Sequence, residues 1–253
     1  MSKKNIVRKM FVLLIISLIS IFDVSAYNEE VISVGCSDWK PYVYQKEGEL
    51  DGSVYQIVKA VFERAQIPFT FDILPWARAY SSGIKNKNYL VACLGRTPER
   101  EENFHWIGPV SLGINVYFYK LKSNPLQVAN IEEAKKQSIG LVRNSYSQEY
   151  INRNKFSEDN LSYVVHSKQL LKMLTFGRYE LTLLEEDGLS LLAGQVNLPA
   201  EHFEKALFAF SVVDHLAFSK NTSQEIISRV KNAYQQLADE GKITELIQQY
   251  NRL

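Results

Sequence analysis

Short apolar segments alternate with segments of helical periodicity along most of this chain. Three runs near its start have the length and composition of buried strands: Val31–Gly35, Phe69–Leu74 and Tyr89–Leu94. Between the first two runs, Ser53–Ala65 carries its apolar residues at helical spacing, which predicts an amphipathic helix. Because strands and helices alternate, the sequence predicts an α/β fold with mainly parallel sheets.

The alternation restarts in the second half of the chain, after Val116–Tyr119, which we interpret as an extended crossover segment. Strands are predicted at Ser138–Val142 and Tyr179–Leu184, and a helix is predicted over Ser145–Asn152. Two such series predict two lobes. Since ligands of open α/β sheets bind beyond the carboxyl ends of the strands, we expect a ligand cleft lined by the loops that follow strands.

The first 26 residues have the features of a secretory signal peptide. Four basic residues precede an apolar run over residues 11–22, and the small residues of Val24-Ser25-Ala26 predict cleavage after Ala26. The run is short for a membrane span of roughly 20 residues, and a retained N-terminal anchor is the alternative. We therefore expect a soluble, exported protein of residues 27–253. Its net charge is −2, because residues 1–26 carry +3 of a total of +1.

Several classes of function leave no signature in the sequence. The near-neutral charge argues against nucleic acid or an anionic membrane as the main partner. No G-x-G-x-x-G or Walker-type phosphate loop occurs, and Gly188-Leu189-Ser190 fails as a nucleophile elbow because residue 192 is Leu. The four histidines show no metal-ligand spacing, so neither a metal nor another cofactor is expected.

Two tryptophans lie just past the ends of predicted strands. Trp39 follows the first strand and Trp76 follows the second. Either tryptophan alone is more often part of a core. The position of both beyond strand ends favours the apolar walls of a pocket.

The turn after Tyr89–Leu94 contains two arginines, Arg96 and Arg100. A guanidinium group grips a carboxylate through two parallel hydrogen bonds, and Pro98 stiffens this turn. One of the arginines is therefore a candidate anion site. The alternative is that both are surface arginines paired with nearby acids, which are Glu99, Glu101 and Glu102.

The second series offers donors and a carboxylate at corresponding places. The stretch Asn144-Ser145-Tyr146-Ser147 starts a helix directly after a strand, where free backbone N–H groups favour an anion and the serine hydroxyls are further donors. Simple capping by Asn144 or Ser145 is the alternative. Glu185-Glu186-Asp187 follows the Tyr179–Leu184 strand, and one carboxylate there is a candidate acceptor for an ammonium group, although acids are also typical of a helix start.

A series of weak motifs in a fixed order gives the chain a resemblance to a known family. The motifs are Trp39-x-Pro41-Tyr42, Gly52 before a helix, Pro75-Trp76, Thr97-x-x-Arg100 followed by Trp106-x-Gly108-Pro109, Gly140-Leu141-Val142 with Ser145, and Leu216-Ala217-Phe218-Ser219-Lys220. Behind a signal peptide, and from about Val31 to Tyr250, this series resembles the periplasmic solute-binding proteins of family 3, the amino-acid-binding type that serves ABC importers.

The resemblance implies a two-lobe periplasmic-binding-protein fold of type II, with two crossovers and a ligand cleft between the lobes. One lobe would comprise residues 27–117 and 215–253, and the other residues 118–214. It implies a monomeric periplasmic protein that closes on a small, carboxylate-bearing ligand and delivers it to an ABC permease in the inner membrane. The alternatives are a cyclohexadienyl-dehydratase-like enzyme on the same fold and a solute-sensing subunit for a membrane receptor.

The expected ligand-binding residues all lie in the loops at the cleft: Trp39, Trp76, Arg78, Arg96, Thr97, Arg100, Ser145, Tyr146 and Glu185. By the resemblance, Arg100 of Thr97-x-x-Arg100 would hold the α-carboxylate of the ligand, and Glu185 would take its α-ammonium group. No residue is assigned a catalytic role, and no cofactor is implied.

Several positions depart from the family pattern. Asn144 stands where a glycine is usual, and Glu185 where an aspartate is usual. Arg78 and Arg96 add positive charge that would suit a dianion or another small acid. The strands that bear Cys36 and Cys93 should be neighbours in this fold, so the resemblance also implies a disulfide between these two cysteines.

Overall fold

The computed structural model of the protein describes residues 30–250. The signal peptide predicted for residues 1–26 lies outside these residues. Two five-stranded sheets with flanking helices organise the described part of the chain, which confirms the predicted α/β class and the two-lobe architecture.

The first sheet combines four strands from the first half of the chain with one strand from near its end. In spatial order its strands are β4 (Phe69–Ile73), β1 (Ile32–Cys36), β5 (Tyr89–Gly95), β12 (Asp214–Ser219) and β6 (Phe104–Pro109). Strand β1 runs parallel to β4 and β5, whereas β12 is antiparallel to β5 and β6. All seven residues of β5 are buried, which accounts for its continuous apolar run.

The second sheet is formed by strands that lie between Ile114 and Val212 in the chain. In spatial order they are β11 (Phe203–Val212), β7 (Ile114–Leu121), β10 (Leu181–Glu185), β8 (Ile139–Val142) and β9 (Leu161–Val164). Strand β8 is parallel to β9 and β10, and β7 is antiparallel to β10 and β11. Each sheet is therefore mixed rather than mainly parallel. The antiparallel strands β7 and β12 are the ones that the chain forms directly after it leaves the other sheet.

The segment Val116–Tyr119 is not a crossover, as the sequence pattern had suggested, but lies within β7 in the second sheet. Phe118 pairs with Leu183 of β10, and both Phe118 and Tyr119 are buried. The chain passes from the first sheet to the second over residues 110–113 and returns at Val213. The lobe limits predicted from the sequence, 27–117 with 215–253 and 118–214, stay a prediction.

Helices cover the sheets. They are α1 (Ser53–Ala65), α2 (Trp76–Lys85), α3 (Ile131–Ala134), α4 (Tyr146–Arg153), α5 (Lys168–Thr175), α6 (Leu189–Gln195), α7 (Gln224–Asp239) and α8 (Lys242–Tyr250). Short 3₁₀ helices span Glu101–Asn103, Glu158–Asn160 and Ala200–His202, and β2 (Tyr44–Lys46) and β3 (Glu49–Asp51) form a hairpin. Helices α1, α7 and α8 bury their apolar faces in one core with β1 and β5, as their helical spacing predicts.

None of the helices within residues 30–250 combines the length and the apolar character that a membrane span requires.

Candidate functional site

A cavity of about 70 Å³ lies where segments that end or follow strands of both sheets come together. The first sheet and its adjoining segments contribute Ser37, Trp39, Trp76, Cys93 and Asp214. The second sheet and its adjoining segments contribute Val142, Ser145, Tyr146, Ser147, Ser167, Leu170, Leu183, Leu184 and Glu185. Because both sheets supply walls, this cavity is the candidate ligand site.

The residues predicted to bind a ligand fall into two groups in the structure. One group lines the cavity: Trp39, Trp76, Ser145, Tyr146 and Glu185. The other group does not line it: Arg78, Arg96, Thr97 and Arg100. The predicted aromatic residues and the predicted residues of the second lobe thus line one cavity, whereas the three arginines and Thr97 do not line it.

The two tryptophans form the aromatic walls on the first-lobe side. Trp39 packs against Tyr42 with ring centroids 4.1 Å apart. Trp76 is the first residue of α2, and its indole N–H donates to the backbone carbonyl of Asn144 at 2.7 Å. Since Asn144 precedes α4, this bond ties the first-lobe helix α2 to the loop of the second lobe.

Arg100 is fully buried and holds a carboxylate of its own chain. Its Nε donates to Oε1 of Glu149 at 2.7 Å, while Oγ1 of Thr97 donates to Oε2 of the same carboxylate at 2.8 Å. The two remaining guanidinium nitrogens donate to the carbonyls of Gly95 at 3.2 Å and Asn144 at 3.3 Å. Arg100, which the resemblance assigned to a ligand carboxylate, therefore contacts Glu149 in α4, as does Thr97.

The other two arginines lie outside the cavity. Arg96 forms an ion pair with Glu101 through two hydrogen bonds, of 2.5 and 2.8 Å, and its guanidinium lies 5.2 Å from the ring centre of Trp106. This matches the alternative of a surface arginine paired with a neighbouring acid. Arg78 is exposed on α2 and does not line the cavity.

The start of α4 directs two side chains toward this region. Asn144 has a φ of 58°, in the left-handed region that glycine and asparagine adopt most readily, which explains why it stands in a glycine position. Ser145 caps the helix and accepts from the backbone N–H of Gln148 at 3.2 Å. The hydroxyl of Tyr146 donates to Oε1 of Glu185, and burial together with the charge of Glu185 raises the pKa of Tyr146 well above its usual value.

Asp214, the first residue of β12, lines the cavity with a side chain that sequence reasoning did not single out. The residue is 1% exposed, and neither carboxylate oxygen has a hydrogen-bond partner among the described residues. Burial, together with the charge of Glu185, raises the pKa of Asp214 to about 7, although the nearby Arg100 opposes this shift. The cavity therefore contains a carboxyl group that titrates near neutral pH.

Cys36 and Cys93 form a disulfide at the edge of the cavity, with their Cα atoms 5.8 Å apart. Cys36 ends β1, and Cys93 lies in the neighbouring parallel strand β5. Cys93 also lines the cavity, and Trp39, another lining residue, follows Cys36 by three residues. The disulfide therefore holds these two lining segments together.

Two residues important to the site, Glu149 and Asp214, escaped the sequence analysis. Glu149 lies in a polar helix, where an acid in the first turn is ordinary. Asp214 gave one available signal, since it is a lone acid inside the apolar segment Ser211–Phe218. A buried carboxylate is rare without a pairing partner, so such an acid is a reasonable candidate for function.

No histidine lines the cavity, and its acidic and cysteine residues do not form a metal site. None of its lining residues is a histidine, and His215 instead bonds the carbonyl of Val213 through Nδ1 at 3.0 Å. Within residues 30–250, no group of three or more histidine, cysteine or acidic side chains is arranged to hold a metal ion.

A sequence profile of one protein family matches almost all of the described chain. The profile is that of the bacterial extracellular solute-binding proteins, family 3, and it matches residues 32–252. A comparison with curated protein sequences found no significant match.

Several solved structures resemble this one closely in fold. A histidine kinase sensor domain with similarity to periplasmic binding proteins has a TM-score of 0.77 and 14% identity, over 88% of this chain and 96% of that chain. The arginine-, lysine-, histidine-binding protein ArtJ from Geobacillus stearothermophilus has a TM-score of 0.72 and 17% identity, over 87% and 95%. The amino acid ABC transporter substrate-binding protein AbpA from Streptococcus pneumoniae, bound to L-arginine, has 0.71 and 18%, over 88% and 94%.

Proposed function

Because the chain belongs to the bacterial extracellular solute-binding proteins of family 3, we propose that it captures a small polar solute of the amino-acid class and delivers it to an ABC importer. The two-lobe, type II periplasmic-binding-protein fold supports this function. Relatives of this fold that bind arginine, or arginine, lysine and histidine, support a solute that carries a charged nitrogen.

The observation that carries the proposal is a cavity walled by both lobes. Trp39 and Trp76 line it from the first lobe, while Tyr146 and Glu185 line it from the second. A solute that contacts both walls makes its full set of contacts only when the lobes are together. Its binding would therefore shift the population toward the closed form.

The predicted ligand-binding residues take unequal roles in this proposal. Trp39 and Trp76 provide aromatic faces, and Ser145, Tyr146 and Glu185 provide the polar contacts. The groups next to the cavity stabilise closure instead of touching the solute: Thr97 and Arg100 bind Glu149 across the lobes. The proposal gives Arg78 and Arg96 no contact with the solute, because neither lines the cavity.

The proposed setting is the periplasm, with a permease as the partner that recognises the closed, monomeric protein. The family assignment and the signal peptide predicted for residues 1–26 support this location. We propose a binding protein in preference to a dehydratase-like enzyme, because the family and the similar structures are mostly binding proteins. N-terminal sequencing of the exported protein tests the location, with Tyr27 expected as the first residue.

A second candidate function is solute sensing. The similarity to the sensor domain of a histidine kinase, at a TM-score of 0.77, favours this alternative. Uptake of labelled solute by cells that lack the protein separates the two roles. Lost uptake supports transport, whereas normal uptake with a lost transcriptional response to the solute supports sensing.

A thermal-shift screen with amino acids, small carboxylates and amines tests the proposed function itself. A solute at 100 times its Kd stabilises the folded state by about 2.7 kcal/mol, which for a chain of this size raises Tm by about 5–10 °C. The proposal fails if no compound in the screen raises Tm. Recovery of the solute unchanged after incubation distinguishes binding from turnover. Conversion of the solute to a product would favour the dehydratase-like enzyme.

A further inference from the structure

The carboxylate grip of the Thr97-x-x-Arg100 motif is already filled by a side chain of this protein. Both oxygens of the Glu149 carboxylate accept hydrogen bonds, one from Thr97 and one from Arg100. The side chain of Arg100 is 0% exposed and that of Glu149 is 17% exposed, so the ion pair is well shielded from solvent. A solute carboxylate would have to break this pair to reach the guanidinium, and the displaced Glu149 would lose its compensating charge.

The two charged residues that line the cavity, Glu185 and Asp214, are both acidic. Both oxygens of the Asp214 carboxylate are buried and accept no hydrogen bond from the described residues. Glu185 has one oxygen bonded by the hydroxyl of Tyr146. A buried carboxylate is stable only when a donor or a cation compensates it, so Asp214 calls for a positively charged, hydrogen-bond-donating group.

Arg100 does not meet this need. It lies close enough to lower the pKa of Asp214, but its donors bond to Glu149 and to the carbonyls of Gly95 and Asn144. Two carboxylates, those of Asp214 and Glu185, therefore line the cavity, and none of its lining residues is basic. Trp39 also lines the cavity, and an aromatic ring attracts positive charge to its face. The ring of Trp76 already has the guanidinium of Arg100 5.5 Å from its centre.

We propose that the cavity selects its solute by an ammonium group that Asp214 and Glu185 hold, and that it requires no carboxylate on the solute. The ligand class is small primary amines. This inference rests on the proposed solute-binding function and narrows its substrate. A cavity of about 70 Å³ has room for roughly five water-sized groups, which suits a short amine.

The pH dependence of binding follows from the groups that face Asp214. They are Glu185, which raises its pKa, Arg100, which lowers it, and the neutral phenols of Tyr42 and Tyr146. Only the ionised Asp214 attracts an ammonium group, and its pKa is about 7. Amine binding should therefore be about tenfold tighter at pH 8 than at pH 6, with a proton released from Asp214 on binding.

The test compares each amino acid with the amine that its decarboxylation gives. The pairs are alanine with ethylamine, serine with ethanolamine, and ornithine with putrescine, titrated by calorimetry and by tryptophan fluorescence at pH 6 and pH 8. At least one amine is expected to bind at least tenfold more tightly than its parent amino acid at pH 8.

Asp214→Asn is the decisive variant, because it keeps the shape of the side chain and removes its charge. It is expected to weaken amine binding at least tenfold and to remove the difference between pH 6 and pH 8. Asp159→Asn, an exposed acid in the 3₁₀ helix Glu158–Asn160, is the matched control and should bind as the wild type does. Glu185→Gln serves as a second variant and should also weaken the amine.

Three outcomes would overturn the inference. An amino acid that binds more tightly than its amine would leave the proposed function intact and reject amine selection. Unchanged amine binding by Asp214→Asn would reject Asp214 as the counter-ion. Absence of binding by every compound of the pairs would also reject the inference, while the wider thermal-shift screen decides the proposed function separately.

Discussion

The surroundings of Asp214 are unlike those of an ordinary, exposed aspartate. It is buried beside Glu185, and its carboxylate has no hydrogen-bond donor among the described residues. The charged form is therefore disfavoured in the folded protein, and the proton is held to a pKa of about 7. In the unfolded chain the same group ionises near pH 4.

This difference predicts how stability depends on pH. Between about pH 4 and pH 7 the folded state keeps a proton that the unfolded state has lost, so the contribution of Asp214 to the free energy of unfolding falls as pH rises. At pH 8 the Asp214→Asn variant should exceed the wild type in stability by about 1 kcal/mol or more. Urea unfolding at pH 5 and pH 8 measures both effects.

Asp159→Asn serves as the control for the same measurement. Its exposed carboxyl group should leave the pH dependence of the wild type unchanged. If Asp214→Asn and the wild type lose the same stability between pH 5 and pH 8, the prediction that Asp214 is buried without a compensating charge is wrong.

At the scale of elements, α4 presents one face to the first lobe. Tyr146, Glu149 and Arg153 are spaced three and four residues apart, which places them on the same side of a helix. A Cβ atom at Gly95 would lie 2.7 Å from Tyr146, so glycine permits the close approach of this ring. Glu149 binds Thr97 and Arg100, and Arg153 binds Glu99 at 2.6 Å.

Removal of Glu149 tests whether Thr97 and Arg100 bind specifically to a carboxylate. Glu149→Ala leaves Arg100 buried without its partner and is expected to lower the free energy of unfolding by about 3 kcal/mol. Acetate, which restores a carboxylate to Thr97 and Arg100, should then raise the Tm of this variant. Thermal unfolding in sodium acetate and in sodium chloride of equal ionic strength gives the comparison.

The matched control for this rescue is Glu132→Ala in α3. Glu132 forms an exposed ion pair with Lys135, which is worth at most about 1 kcal/mol, so its removal should change stability little and create no acetate effect. An equal response of both variants to acetate and chloride would show that Thr97 and Arg100 do not bind a free carboxylate.

The disulfide joins β1 to β5 beneath the cavity. It closes a loop across a sequence separation of 57, and the removal of such a constraint from the unfolded state is worth roughly 4 kcal/mol in the chain-entropy account. The double variant with Cys36→Ala and Cys93→Ala should be less stable by about 2–4 kcal/mol. Thiol titration of the denatured, unreduced wild type should give no free thiol, and two thiols would refute the bond.

The elements that the sequence predicted best have a local signal. Strand β5 is buried throughout and has a continuous apolar run, and α1 buries one face at helical spacing. The sequence predicts a crossover where β7 lies, because the partners of β7, β10 and β11, lie more than 60 residues further along the chain. The period of a strand shows that it is extended, but not which sheet receives it.

At the scale of the whole molecule, the sequence predicted one half of the site more readily than the other. Trp39, Trp76 and Glu185 could be placed because each follows a strand, and the topology brings those strand ends together. The partner of Arg100 could not be predicted. Glu149 is 49 residues away and meets Arg100 only because the two lobes come into contact. A sequence motif identifies a group that binds a carboxylate, but not whose carboxylate it binds.

Three contacts join the two lobes across the cleft. Arg100–Glu149 and Arg153–Glu99 are ion pairs between the loop after β5 and α4, and Trp76 donates to the carbonyl of Asn144. In a hinged protein each contact that forms only in the closed state shifts the equilibrium toward closure. The three contacts should therefore favour closure in addition to the contacts that a ligand makes.

This preference predicts a change of shape in a variant that lacks the two ion pairs. The double variant Glu149→Ala with Arg153→Ala should populate an open form without solute, so its radius of gyration in small-angle X-ray scattering should exceed that of the wild type. A saturating solute should bring the two values together, because its contacts with both walls replace the lost pairs. Glu132→Ala, which removes an ion pair within one lobe, should scatter as the wild type does. If the double variant and the wild type have the same radius of gyration without solute, the two ion pairs do not control closure. The ion pair between Arg100 and Glu149 would then contribute to stability but not to the equilibrium between open and closed forms.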